Sequence, residues 1–237
     1  MSAPYVLLWL EGPLQAWGHD SRFGRRDTLA FPTKSGVLGL VCCALGAGGR
    51  QRTLLAEFAD LDMQLEAYVR VNNNGEPVAR EPLLRDFHMV GSGYDEKDPW
   101  QSLLIPKTSE GKKAVGGGSK LTHRYYLQDM AYGVALQIPR GRVQEISEYL
   151  RNPVWDLYLG RKTCVPTEII FQGVFPDAAS ALAAGREMAA AKNRCVSFRV
   201  MQGEHEGEVM TINDVPVQFG QDKRYRDRMV TVQDPAE

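Results

Sequence analysis

The apolar run from Tyr5 to Leu10 reads as a buried strand that Glu11 and Gly12 bring to an end. Beyond it come Gly12-Pro13-Leu14-Gln15-Ala16-Trp17-Gly18 and then a long loop. Thr33 or Ser35 can cap the helix that Val37, Leu38, Leu40 and Val41 continue. The loop carries Arg22, Arg25 and Arg26 together with Trp17, His19 and Phe23. Guanidiniums, rings and exposed backbone N–H groups beside a helix N-terminus suit a phosphate backbone with splayed bases. These residues therefore predict a nucleic-acid-binding loop on an α+β scaffold.

Further along, Met63 to Val71 alternates as a half-buried strand does, and Asn72-Asn73-Asn74-Gly75 supplies a turn before a second strand-like run, Val78 to Val90. Tyr132 to Ile138 reads as a strand and Val143 to Leu150 as a short amphipathic helix. That order predicts a ferredoxin-like βαββαβ unit over residues 1–150, the scaffold also used by RNA-recognition motifs. Fold alone does not establish function. Between its strands, Gly91 to Tyr125 is glycine-rich and carries Lys107, Lys112, Lys113, Lys120 and Arg124. An insertion this long inside a compact domain is usually functional, with a solvated linker as the plain alternative. After Arg151 come strand-like Glu168 to Val174, helix-like Asp177 to Lys192 and strand-like Cys195 to Val200. Short strands Val209 to Ile212 and Val215 to Phe219 follow, with a mixed-charge stretch from Asp222 to Arg228. Residues 151–237 read as a small β-rich second lobe.

Composition constrains partners rather than naming them. With 28 Lys and Arg against 29 Asp and Glu, any polyanion-binding surface must be local. Cys42, Cys43, Cys164 and Cys195 form no C-x-x-C pair, so no metal is expected and the adjacent pair reads as helix core. The start lacks a basic region and the apolar run is too short for a leader or a membrane span, which predicts a cytoplasmic protein.

Three segments also carry a resemblance. Gly12 to Gly18 with Phe31 to Leu40, then Leu84-Arg85-Asp86-Phe87-His88, then Tyr158 to Pro166 resemble landmarks of the CasD-type subunits of type I-E CRISPR Cascade complexes, within the RAMP superfamily, in the same order. The resemblance implies a ferredoxin-like domain with a protruding thumb hairpin at about residues 91–125 that grips the repeat-derived 5′ handle of the guide RNA (crRNA). It implies a non-catalytic subunit without cofactor that caps this RNA, contacts the large and backbone subunits of the complex, and meets target DNA only through the complex. The RNA-binding set expected on these grounds is Gly12, Gln15, Trp17, Gly18, Arg22, Arg25, Arg26, Lys34, Ser35, Lys107, Lys112, Lys113, Lys120, Arg124, Arg161 and Lys162. Lys34 enters because a cation at a helix start is unfavourable unless an anion is near. Two other readings stay open. One is a metal-independent endoribonuclease of repeat RNA, using His88 with Tyr94 or His123 with Lys120 and Tyr125. The other is a single-stranded RNA-binding module indifferent to sequence.

Overall fold

The computed structural model describes residues 3–18, 21, 24–90, 97, 108–112 and 120–235. Among them the elements run β1 (Tyr5–Gln15), β2 (Arg25–Arg26), α1 (Lys34–Ala44), α2 (Arg52–Phe58), β3 (Met63–Arg70), β4 (Leu84–Val90) and β5 (Lys120–Gln137). Then come α3 (Val143–Arg151), β6 (Phe171–Phe175), α4 (Ala178–Ala191), β7 (Arg194–Gln202), β8 (Glu208–Gln218) and β9 (Arg224–Gln233). The main sheet has the order β6-β1-β5-β3-β7-β9-β8, and every neighbouring pair in it is antiparallel.

The unbroken apolar run of β1 follows from its position. A central strand covered on both faces has no solvent side, so its apolar residues need not alternate with polar ones. Val6, Leu8 and Leu10 join the core built with α1, α2 and α3, whereas Tyr5 and Leu7 meet Ala181 and Leu182 of α4 on the opposite face. Trp9 stacks on Tyr68 on that same side, their rings 5.2 Å apart. Glu66 is buried there as well, 2.6 Å from both Arg186 on α4 and Arg199 on β7, with the Tyr68 hydroxyl as a further donor. A buried carboxylate requires such partners.

Several elements depart from expectation. Strand β1 runs on to Gln15 rather than stopping at Gly12. Gly12 lies buried in it, because a Cβ there would stand 2.7 Å from the Val165 carbonyl oxygen. Residues 78–83 are not in a strand, and β4 begins at Leu84. The two short strands expected near the C-terminus are one strand, β8, with bulges at Asn213/Val215 and Pro216/Gln218. The boundary expected at residue 150 does not divide the sheet: β6 pairs with β1 at one edge, and β7 pairs with β3. Among the described residues no helix is long and apolar enough to cross a membrane.

Candidate nucleic-acid interface

Strand β5 outruns the main sheet. From Leu127 to Gln137 it pairs with β1, whereas Lys120 to Tyr126 pairs with β4 on one side and, at His123 and Arg124, with the two-residue β2 on the other. The result is a three-stranded arm continuing from the core. Its register sorts its side chains. Phe87 stands opposite His123, Met89 opposite Leu121 and Arg85 opposite Tyr125 on one face; Asp86 opposite Arg124 and His88 opposite Thr122 occupy the other. Phe87, Met89 and Leu121 are each more than half exposed, at 55%, 56% and 53%. Within the arm's strands the basic residues are Arg25, Arg26, Arg85, Lys120 and Arg124, against the single acid Asp86. A chain of balanced charge has thus gathered a basic surplus on one feature.

The arm is pinned to the core by Arg161. Its guanidinium donates to the carbonyls of Tyr125 (3.1 Å) and Arg26 (2.8 Å) and lies over the Tyr126 ring. The turn that presents Arg161 depends on Gly160, whose φ is +88° and where a Cβ would fall 1.7 Å from the Ala16 carbonyl oxygen. Only glycine fits there. Arg25 is exposed, paired with Asp27 at 2.7 Å and set over the Tyr125 ring. Arg26, Arg124 and Ser35 are half-buried; Gly18 and Lys162 are exposed. Lys112 is exposed and pairs with Glu110 at 3.1 Å. Arg22, Lys107 and Lys113 lie outside the described residues, as does the side chain of Lys120, and so does most of the expected thumb between residues 91 and 119.

Four expected RNA contacts are interior. Gly12 is buried as described above. Gln15 is fully buried: its amide donates to the carbonyls of Leu10 and Met130, and its oxygen accepts from the Trp17 indole. Trp17 is itself fully buried, its ring packed against Gly36 of α1, so it is not free to stack on a base. Lys34 is the most instructive. Its ammonium is buried and donates to the carbonyls of Ala59 and Leu61 just past α2. The anion its position calls for is protein: the Asp214 carboxylate accepts the Lys34 backbone N–H at 2.6 Å, while Arg228 holds that carboxylate from the other side. Thr33 caps Gly36. Burial pulls the Lys34 pKa down to about 8, and Arg228 acts in the same direction while Asp214 and Asp62 oppose it.

Of the expected acid–base sets, Tyr94 and the side chain of Lys120 lie outside the described residues. His88 meets Asp86 at 2.6 Å on one face of the arm, whereas His123 contacts Phe87 on the other. Arg85, Phe87, Met89, Leu121 and Tyr125, which share one face of the arm, were absent from the expected RNA-binding set; the strand-like run ending at Val90 was the signal for the three on β4, and no pattern marked the two on β5.

Comparison with known proteins agrees with this architecture. The family described as CRISPR-associated protein (Cas_Cas5) matches residues 5–232. The chain belongs to the Cas5 family. It is 32% identical over 174 residues to the CRISPR system Cascade subunit CasD of Escherichia coli (strain K12), covering 71% of this chain and 70% of that protein. A chain of a solved CRISPR RNA-guided surveillance complex superposes with a TM-score of 0.69 at 27% identity, covering 97% of this chain and 89% of that one. A second solved Cas protein matches with a TM-score of 0.60 at 26% identity, over 98% and 94% of the two chains.

Proposed function

We propose that this Cas5-family chain is a non-catalytic Cascade subunit that holds the 5′ handle of a guide RNA and braces neighbouring protein subunits on it. The observation that carries the reading is the arm. Among its described side chains it gathers Arg25, Arg26, Arg85 and Arg124 against the single strand acid Asp86, and it exposes Phe87, Met89 and Leu121, offering cations for phosphates and an apolar and aromatic face for unstacked bases. Its root is locked by Arg161, so the arm is positioned before RNA arrives. The strand order β6-β1-β5-β3, with α1 and α2 before β3 and with α3 before β6, supports a ferredoxin-like reading of the core. In that reading the fourth strand of the unit is β6, beyond residue 150. Target DNA would be read by pairing with the guide, and this chain would read RNA backbone and a fixed repeat segment.

Incubation of the purified chain with labelled repeat RNA tests the proposal. Retention that depends on the handle sequence, without cleavage, supports it. Metal-independent cleavage abolished by His88→Ala or His123→Ala replaces it with the processing enzyme, and retention blind to sequence replaces it with a general RNA-binding module.

A further inference from the structure

A second feature, separate from the arm's faces, is a cavity of about 460 Å³ beside α1. Helix α1 forms its floor through Ser35, Gly39 and Cys43; the 155–160 connector forms one wall and the β8–β9 turn another. The walls are fixed by backbone bonds. Val154 N–H donates to Ala44 and Trp155 N–H to Cys43, at the C-terminal end of the helix, while Phe219 N–H donates to Arg50. Burial raises the Tyr158 phenol pKa, and the Cys43 thiol nearby acts in the same direction. The recess is thus preformed, and its volume lies in the range of small-ligand sites.

Gly39 says what the recess is for. Glycine inside a helix destabilises it relative to alanine, so such a residue calls for a reason. Gly36, one turn earlier, has one: a Cβ there would lie 2.8 Å from the Trp17 ring. At Gly39 a Cβ would meet no atom within 4 Å, and its φ is not positive. No packing or backbone constraint demands glycine there. What a side chain at this position would do is project into the cavity. The lining sets the class of occupant. Trp155, Tyr158, Phe219 and Tyr225 supply aromatic rings beside the buried Trp17, and Lys223 is the single charged side chain among the described residues lining it. Rings and one cation with no carboxylate suit a base with its phosphate. By contrast, the adjoining apolar hollow around Val165 and Ile169 is rimmed by Arg151 and Lys162 together with Asp156 and Glu168, both signs alike.

We infer that this recess takes one unstacked nucleobase of the bound RNA, its phosphate directed to Lys223. The inference rests on the RNA-binding reading above and adds a second contact point to it. Gly18 and Gly160 also line the cavity, placing it next to the loop that leads to Arg25 and to the turn that carries Arg161.

The test fills the space. Gly39→Leu and Gly39→Ala are compared with wild type for thermal unfolding and for affinity to repeat-derived 5′-handle RNA across salt concentrations. Gly39→Leu should unfold no earlier than wild type and bind roughly tenfold to hundredfold more weakly, with the salt slope flattened by no more than about 0.7, the share of the one phosphate contact at Lys223. Gly39→Ala should fall between the two in affinity. Wild-type protein that binds no repeat RNA overturns the RNA reading and this inference with it. Wild-type binding left intact by Gly39→Leu overturns this inference alone. A readout that needs no filled cavity places 2-aminopurine at each handle position in turn. One position should be quenched on binding, with the quenching relieved by Trp155→Leu; a uniform response along the RNA overturns the inference.

Discussion

The two halves of β5 belong to one strand and answer to different demands. From Leu127 to Gln137 the strand pairs with β1, and from Ala131 to Leu136 with β3 as well, with helices over both faces, and Tyr132, Val134, Ala135 and Leu136 are fully buried. From Lys120 to Tyr126 it is flanked, among the described residues, by β4 and the short β2 alone, and Leu121 and its neighbours Phe87 and Met89 face outward. The first half draws its order from apolar burial. The second draws its order from register, from the Arg161 pin and from the continuity of the strand. A single element thus carries rigidity from the core out to a surface that the core does not need. Residues of the arm can accordingly answer to a partner with little effect on the fold.

The largest effect expected from this contrast is on stability. Leu136→Ala should cost about 2–5 kcal/mol, the range for truncating a buried leucine, whereas Met89→Ala should stay within about 0.5 kcal/mol. Urea unfolding of both variants measures the difference, and equal costs would break the distinction between the halves. A smaller effect belongs to the core side at alkaline pH. Burial lowers the Lys34 pKa to about 8 from an ordinary value of 10.5. Between those two values the unfolded chain binds more protons than the folded one, so stability rises with pH through that window. Wild type should therefore gain over Lys34→Met by about 1–3 kcal/mol between pH 8 and 10.5. A flat difference would mean that the ammonium is not held as described. Smallest in stability, and confined to binding, is the pair Arg25→Ala with Arg26→Ala. Each lost phosphate contact should flatten the slope of log affinity against log salt by about 0.7, with the unfolding midpoint unchanged.

How legible these features were in the sequence follows the same division. Buried elements announced themselves by periodicity: β1, β3, α1 and α4 fall close to where apolar spacing puts them, and Asp177 caps α4 in the structure. The outer half of β5 did not, because Lys120, Thr122, His123 and Arg124 imitate a loop. Strand β9 was read only as a mixed-charge stretch because one of its inward positions is Arg228, a charge tolerated inside by its bidentate contact with Asp214. The same aspartate explains the misreading of Lys34. A cation at a helix start does imply an anion, yet that anion came from 180 residues away in the chain, a distance no local pattern spans. Arg161 likewise was expected among the RNA contacts and proved to be the bolt between loop, arm and core. Charged residues were the hardest to place, since their partners are set by topology.

The central claim is that β5 serves the fold in one half and the RNA in the other, and amide hydrogen exchange tests it most directly. In the free protein the amides of 127–137 should exchange slowest, with those of 84–90 and 120–126 faster, because fewer buried apolar contacts guard them. On addition of repeat-derived guide RNA the arm amides should slow markedly while those of 127–137 stay as they were. Protection that appears elsewhere, with the amides of 84–90 and 120–126 unchanged, would contradict the account.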